Sequence, residues 1–186
     1  MNLKLLTDIL FFSNIAAHLV LILGLVWCIA VPARRIYPMT RKTPIFYAMW
    51  GIFAFIFFTN PLFIFLDWNS GIWSGMDRLF IGVPLVLLGV GFLSWGFRTL
   101  GSKNTSGLRD GFIRAGAYRF SRNPQYVGDF AIFTGVTIIS NSPLVLVTHL
   151  LTILVFLIGP LAEETWLEEQ YGAEYLDYKT SVPRFL

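Results

Sequence analysis

Two short stretches of this chain carry residue types that could do chemistry. The first runs from Tyr118 to Phe130, YRFSRNPQYVGDF, and the second is the carboxylate pair Glu163-Glu164. Asn123-Pro124 predicts a helix start, because asparagine caps helices and proline fits a first turn whose N–H groups need no intrahelical partner. Free N–H groups and the positive end of a helix dipole form a ready site for a carboxylate or phosphate. Arg119 and Arg122 reinforce that site, while Tyr118 and Tyr126 offer aromatic faces to a cation or a flat ring. Asp129 is a charge one turn further into an apolar run, and an ionisable group in such a place is a functional candidate.

These residues must be positioned by membrane-spanning helices. Only 13% of the 186 residues are charged, about half the share of a soluble domain. The apolar residues fall in blocks long enough to cross a bilayer. The expected architecture is all-α, a single polytopic unit over 1–186 with five transmembrane helices at Asp8–Val31, Pro44–Leu66, Leu79–Phe97, Tyr126–Ser140 and Pro143–Ala162. Residues 1–97 hold the first three spans. Residues 98–186 hold a loop, a tight hairpin of spans four and five turned by Asn141-Ser142-Pro143, and a helical tail. Ser142 is the predicted cap of span five, and Pro61 and Pro84 predict kinks or early ends. The first span is too long for a cleaved signal peptide and lacks a small-x-small site.

Of the 14 lysines and arginines, 12 fall between spans one and two, between spans three and four, or in the tail. The positive-inside rule then places the N-terminus outside and the tail in the cytoplasm. A net charge of +3 therefore reflects topology and gives no reason to expect nucleic acid, and no protein partner is evident. The loop Arg98–Asn123 is strongly basic and the tail Glu163–Leu186 strongly acidic, which favours docking of one on the other. Glu163 and Glu164 end an apolar span, and Glu164 and Glu168 are like charges one turn apart, so something cationic, either loop arginines or a bound cation, is expected beside them. A ligand suited to this mouth would carry a carboxylate, a cation and a flat ring. S-adenosylmethionine, a nucleotide and a zwitterionic lipid headgroup all meet that description.

The motif GAYRFSRNPQYVGDF (116–130), an apolar hairpin, and then EETWLEEQYGAEYLDYKTSVPRFL (163–186) resemble the isoprenylcysteine carboxyl methyltransferase and phospholipid N-methyltransferase superfamily. Order and spacing agree across the last part of the chain, whereas the first hundred or so residues match only as generic spans. The resemblance implies an S-adenosylmethionine-dependent membrane methyltransferase acting on a lipidic or small amphiphilic acceptor from the bilayer. Cofactor contacts would come from Tyr118, Arg122, Asn123, Pro124, Gln125, Tyr126 and Glu163, with Phe112 and Ile113 on the adenine side. Asp129 and Glu164 are the candidate bases.

Some positions depart from the prenylcysteine branch. Asn123 replaces a histidine, Asp110 stands at a cofactor-contacting histidine, and Gly159 occupies the position of an arginine that holds the substrate carboxylate. The stretch NPQYVGD also resembles the sterol C-14 and C-7 reductases, which leaves an NADPH-dependent membrane reductase as the alternative, with a non-catalytic scaffold as a third. Metal chemistry has no visible ligand set: Cys28 is the sole cysteine, and His18 and His149 read as hydrogen-bonding residues between helices. The glycines of GVGFLSWG (89–96) read as close-packing positions, not as a dinucleotide fingerprint.

Overall fold

A computed structural model of the chain describes residues 2–39, 41–73, 75–106 and 111–186. All regular structure among them is helical: α1 (Leu3–Ala30), α2 (Pro44–Leu66), α3 (Arg78–Leu100), α4 (Ser102–Thr105), α5 (Pro124–Ser140), α6 (Pro143–Tyr171) and α7 (Ala173–Ser181). Single 3-10 turns occur at Pro32–Arg34 and Gly116–Arg119. Helices α1, α2, α3 and α6 are long and apolar enough to cross a membrane. The expected fourth span falls short of that. With 17 residues, α5 measures about 25 Å, against a hydrocarbon core of about 30 Å.

Local chemistry sets most helix ends. Thr43 caps α2 by accepting from the Phe46 N–H (3.3 Å), and Ser142 caps α6 by accepting from the Val145 N–H (3.2 Å), as its sequence position predicts. Pro61 and Pro84 do not end their helices, and α6 also runs through Pro160. In apolar surroundings a broken helix would strand backbone polar groups without water, so continuation is favoured. The last apolar span does not stop at Ala162 either. Its polar continuation is built of good helix formers, and α6 ends only where Gly172 takes a positive φ of 53°.

The most extensive helix pair is α3 with α5. A Cβ on Gly89 would stand 2.6 Å from the Gly128 carbonyl oxygen, and one on Gly135 would stand 2.6 Å from that of Gly82. Backbone therefore lies directly on backbone, and the pairs Gly82–Gly135 and Gly89–Gly128 run antiparallel. Gly96 continues the row against Gln125 at the start of α5.

On the other side, α1, α2 and α6 enclose a core of Leu21, Leu25, Cys28, Ile56, Val155 and Ala162. Buried polar side chains bind the helices to one another. Asn14 donates to Thr59 (2.6 Å), Thr148 donates to Asn60 (2.8 Å), His18 pairs with Thr152 (2.8 Å) and His149 with Thr137 (2.8 Å). Both histidines thus act as interhelical hydrogen-bonding residues, and Cys28 is a buried thiol. No group of metal-ligating side chains occurs among the described residues. At the end where α5 turns into α6, the buried Arg78 donates to the carbonyls of Gly75 (2.8 Å) and Ile139 (3.1 Å). The chain reverses there through Asn141, at φ 47°.

The α3–α5 contact predicts that Gly89→Ala lowers the melting temperature of the purified protein in detergent, at a cost of about 1–3 kcal/mol for overpacking. Gly91→Ala is the control: a Cβ there meets nothing within 4 Å, and its melting temperature should not fall.

Candidate functional site

Because α5 is short and α6 continues for 29 residues, the two helices end at different heights. The step between them is a cavity of about 200 Å³, floored by Asn123, Gln125 and Tyr126 of the α5 start and walled by α6. Gln125 is held there by its Nε2, which donates to Thr105 of α4 (2.9 Å). The tail closes over the remaining side.

Glu164 fixes the tail. One of its oxygens accepts from Arg122 (2.9 Å) and from Arg184 Nε (2.6 Å), and the other lies 3.0 Å from Arg184 Nη2 and 3.2 Å from Lys179 Nζ. Lys179 also pairs with Glu168 at 2.7 Å, bridging the two like charges that stand one turn apart. The cations beside Glu164 and Glu168 are therefore supplied by the chain itself. Backbone contacts add to the dock. The Arg122 N–H donates to the Pro183 carbonyl (2.9 Å) and the Tyr178 hydroxyl to the Tyr118 carbonyl (2.6 Å), and Phe185 packs on Phe130. Arg114 also reaches Asp177 (3.3 Å), but both side chains are largely exposed and the pair contributes little.

Asn123 differs from its sequence reading. It occupies the cap position and Pro124 the first turn, yet its side chain makes no capping bond. Its Nδ2 donates instead to the Arg184 carbonyl (3.0 Å). The side chain is turned to the carbonyl of the docked tail and not to the first-turn N–H groups. The first-turn N–H groups of α5 are thus left without a side-chain cap.

Glu163 turns to a different face of α6. Tyr37, in the connection between α1 and α2, donates to its Oε1, and so does Tyr126 at 3.3 Å. Its Oε2 has no hydrogen bond from a described residue. Burial, with the Glu163 carboxylate next, pushes the Tyr37 phenol well above its ordinary range, and the same two causes raise that of Tyr118. Tyr37 therefore keeps its proton and acts as a donor to Glu163. A second polar atom is unengaged. The Arg122 side chain is 8% exposed, and its Nε is buried without a hydrogen-bond partner. The remaining wall is aromatic: Phe112 stacks on Tyr171 (4.9 Å between centroids) and meets Tyr175 and Tyr178 edge-on.

The structure brings Phe112, Ile113, Tyr118, Arg122, Asn123, Gln125, Tyr126, Glu163 and Glu164 to this cavity. Pro124 is fully buried beside it, under Gly96. Asp129 is not among the lining residues; it is half-buried on α5 without a hydrogen bond or ion pair to a described residue. Asp110 lies outside the described residues. Sequence reasoning missed Tyr37, Trp166, Tyr171, Tyr175 and Tyr178 as lining residues. The tail tyrosines had a signal, since they recur at helical spacing on the face that docks. Tyr37 had only its place in a basic loop.

Residues 77–174 match the family model described as phospholipid methyltransferase. Protein-S-isoprenylcysteine O-methyltransferase of Xenopus laevis is 28% identical over 144 residues, covering 74% of this chain and 49% of that protein. The Saccharomyces cerevisiae protein of the same name is 34% identical over 71 residues, covering 38% of this chain and 30% of that one. The chain thus aligns with about half or less of either relative's length. No solved structure matches it.

Glu164→Gln should free the tail, at a cost of about 2 kcal/mol: breaking a buried pair costs more, but Lys179 and Arg184 are partly solvated. Limited trypsin digestion of the protein in detergent is the check, read as faster cleavage after Lys179. An unchanged rate would show that the backbone contacts alone hold the tail.

Proposed function

Since the chain belongs to the phospholipid methyltransferase family, we propose that it is an integral membrane enzyme transferring a methyl group from S-adenosylmethionine to a lipidic or small amphiphilic acceptor. The observation that carries this reading is one aromatic cavity lined by the Arg122 guanidinium and by the Glu163 carboxylate, whose Oε2 is unengaged. The Arg122 guanidinium suits a carboxylate, Glu163 Oε2 suits an ammonium, and the Phe112 wall suits a flat ring. The bound cofactor would supply an electrophilic methyl group on sulfur. The protein's part is to orient it and to exclude water, the usual contributions to such a displacement.

In this reading α5 serves as a fifth, recessed span, and the lysine and arginine distribution places the cavity and tail on the cytoplasmic side. The acceptor arrives laterally. An apolar slot of about 20 Å³, lined by Leu21 and Leu25 of α1, Met49 and Phe53 of α2 and Val155 of α6, meets the cavity at Tyr37 and Tyr126. Gly159 faces the Tyr126 ring and brings no cation to it. An acceptor without a carboxylate, such as a lipid amine, suits this junction better than a prenylcysteine acid. Of the two candidate bases, Glu164 has both oxygens occupied by cations and serves to hold the tail. Asp129 stays the candidate base, acting from outside the cofactor contacts.

Calorimetry on the purified protein in detergent tests the cofactor. S-adenosylmethionine should bind, and Tyr126→Ala and Glu163→Ala should abolish binding; normal binding by both variants would refute these contacts. NADPH binding in place of S-adenosylmethionine would establish the reductase alternative, and binding of neither would leave a scaffold without chemistry. Mass spectrometry of membranes incubated with methyl-labelled S-adenosylmethionine then identifies the acceptor. Asp129→Asn should leave cofactor affinity within about twofold while depressing turnover, because a base acts on the barrier and not on cofactor binding. Unchanged turnover removes it from the mechanism.

A further inference from the structure

The family match covers residues 77–174, yet one of the groups that fixes the Glu163 carboxylate comes from outside it. Tyr37 sits in the connection between α1 and α2, and its hydroxyl donates to Glu163 Oε1. It lies 3.5 Å from the Tyr126 hydroxyl, which reaches the same oxygen. Both phenols thus converge on Oε1 and leave Oε2 without a described partner. Tyr37 is also placed at a seam: together with Tyr126 it lines both the polar cavity and the apolar slot. The Tyr126 ring is fixed independently by stacking on Phe156, with centroids 5.1 Å apart. Tyr37 has no such stack, so its hydroxyl is the group that ties the α1–α2 connection to the carboxylate.

We propose that Tyr37 is a positioning residue of the methyl-transfer site. It holds Glu163 with Oε2 directed to the cofactor's ammonium group and, with Tyr126, forms the partition across which cofactor and acceptor meet. This assignment rests on the methyltransferase reading above. A phenol is suited to the task because it donates a hydrogen bond to a carboxylate without neutralising its charge, whereas a lysine or arginine would compete with the ligand cation. Burial keeps the phenol protonated, so the donor persists at any physiological pH.

The test is a double-variant cycle on the full chain in detergent with Tyr37→Phe, Glu163→Gln and both together, reading the dissociation constant for S-adenosylmethionine by calorimetry and the melting temperature without ligand. Tyr37→Phe keeps the ring and removes only the hydroxyl. The expected result is a rise of about tenfold or more in its dissociation constant, the scale of a hydrogen bond to a charged group. On the Glu163→Gln background the same change should add at most about twofold. A merely structural tyrosine would lower the melting temperature and leave the dissociation constant of the folded fraction unchanged. That outcome, or effects of the two substitutions that simply add, overturns the proposal while the methyltransferase reading stands. Failure of the unsubstituted chain to bind S-adenosylmethionine overturns that reading, and this role for Tyr37 with it.

Discussion

Lipid tails are as apolar as leucine, so no hydrophobic effect drives one spanning helix against another, and α5 has to be held by close packing and hydrogen bonds. Its partner is α3, and the hold is backbone on backbone at Gly82–Gly135 and Gly89–Gly128. Two rows of glycine at matching heights allow one register, because a slide by one residue would bring side chains such as Ile132 and Leu93 onto the opposite backbone. This register sets the height of the α5 start relative to α3, and the tight turn at Asn141-Ser142 together with the two helix lengths sets it relative to the longer α6. The cavity is the difference between those heights. Everything chemical in the molecule is placed by that step, including the uncapped first turn of α5, the tyrosine on it and the carboxylate opposite.

A recessed cavity needs a cover, and the tail provides one through charge. Burying Glu164 among cations is not by itself a source of stability, since removing such groups from water costs about as much as their attraction returns. What the cluster supplies is direction: Arg122 from the loop, Lys179 and Arg184 from the tail and Glu164 from α6 can be satisfied together only when the tail lies across the cavity. The uncharged contacts, Pro183 and Arg184 carbonyls on Arg122 and Asn123, then fix the last strand of chain in register. Arg122 thereby joins α6 to the tail, with Nη1 donating to both Glu164 and Tyr175.

Much of this was legible in the sequence, and the reasons are local. Long apolar blocks, a Ser-Pro helix start at 142–143 and NPQY at the mouth of a run are signals carried by neighbouring residues, and the structure follows them. Opposed charge in loop and tail is a sum over segments, so docking could be read without knowing which pairs form. Asn123 was read correctly as a position and incorrectly as a capping bond, because the competing acceptor, the Arg184 carbonyl, lies 61 residues away in sequence. Tyr37 was invisible for the same reason: nothing in its own loop indicates that Glu163, 126 residues on, will accept its hydrogen bond. The five-span expectation counted apolar residues, whereas α5 depends on its contact with α3 more than on its length.

The adjacent carboxylates illustrate how a helix divides labour. Consecutive residues on an α-helix point about 100° apart, and residues four apart share a face. Gly159 and Glu163 therefore look the same way, toward Tyr126, where the glycine leaves room and the carboxylate meets two phenols. Glu164 and Glu168 look another way, toward Lys179, which pairs with both. Had the two glutamates stood four apart, one cation would have served them both and neither would face the cavity unneutralised. Placed side by side, one is spent on closing the tail and the other keeps an oxygen free. A chemically identical pair thus acquires two roles from the pitch of the helix alone, one holding the lid and one presenting charge beneath it.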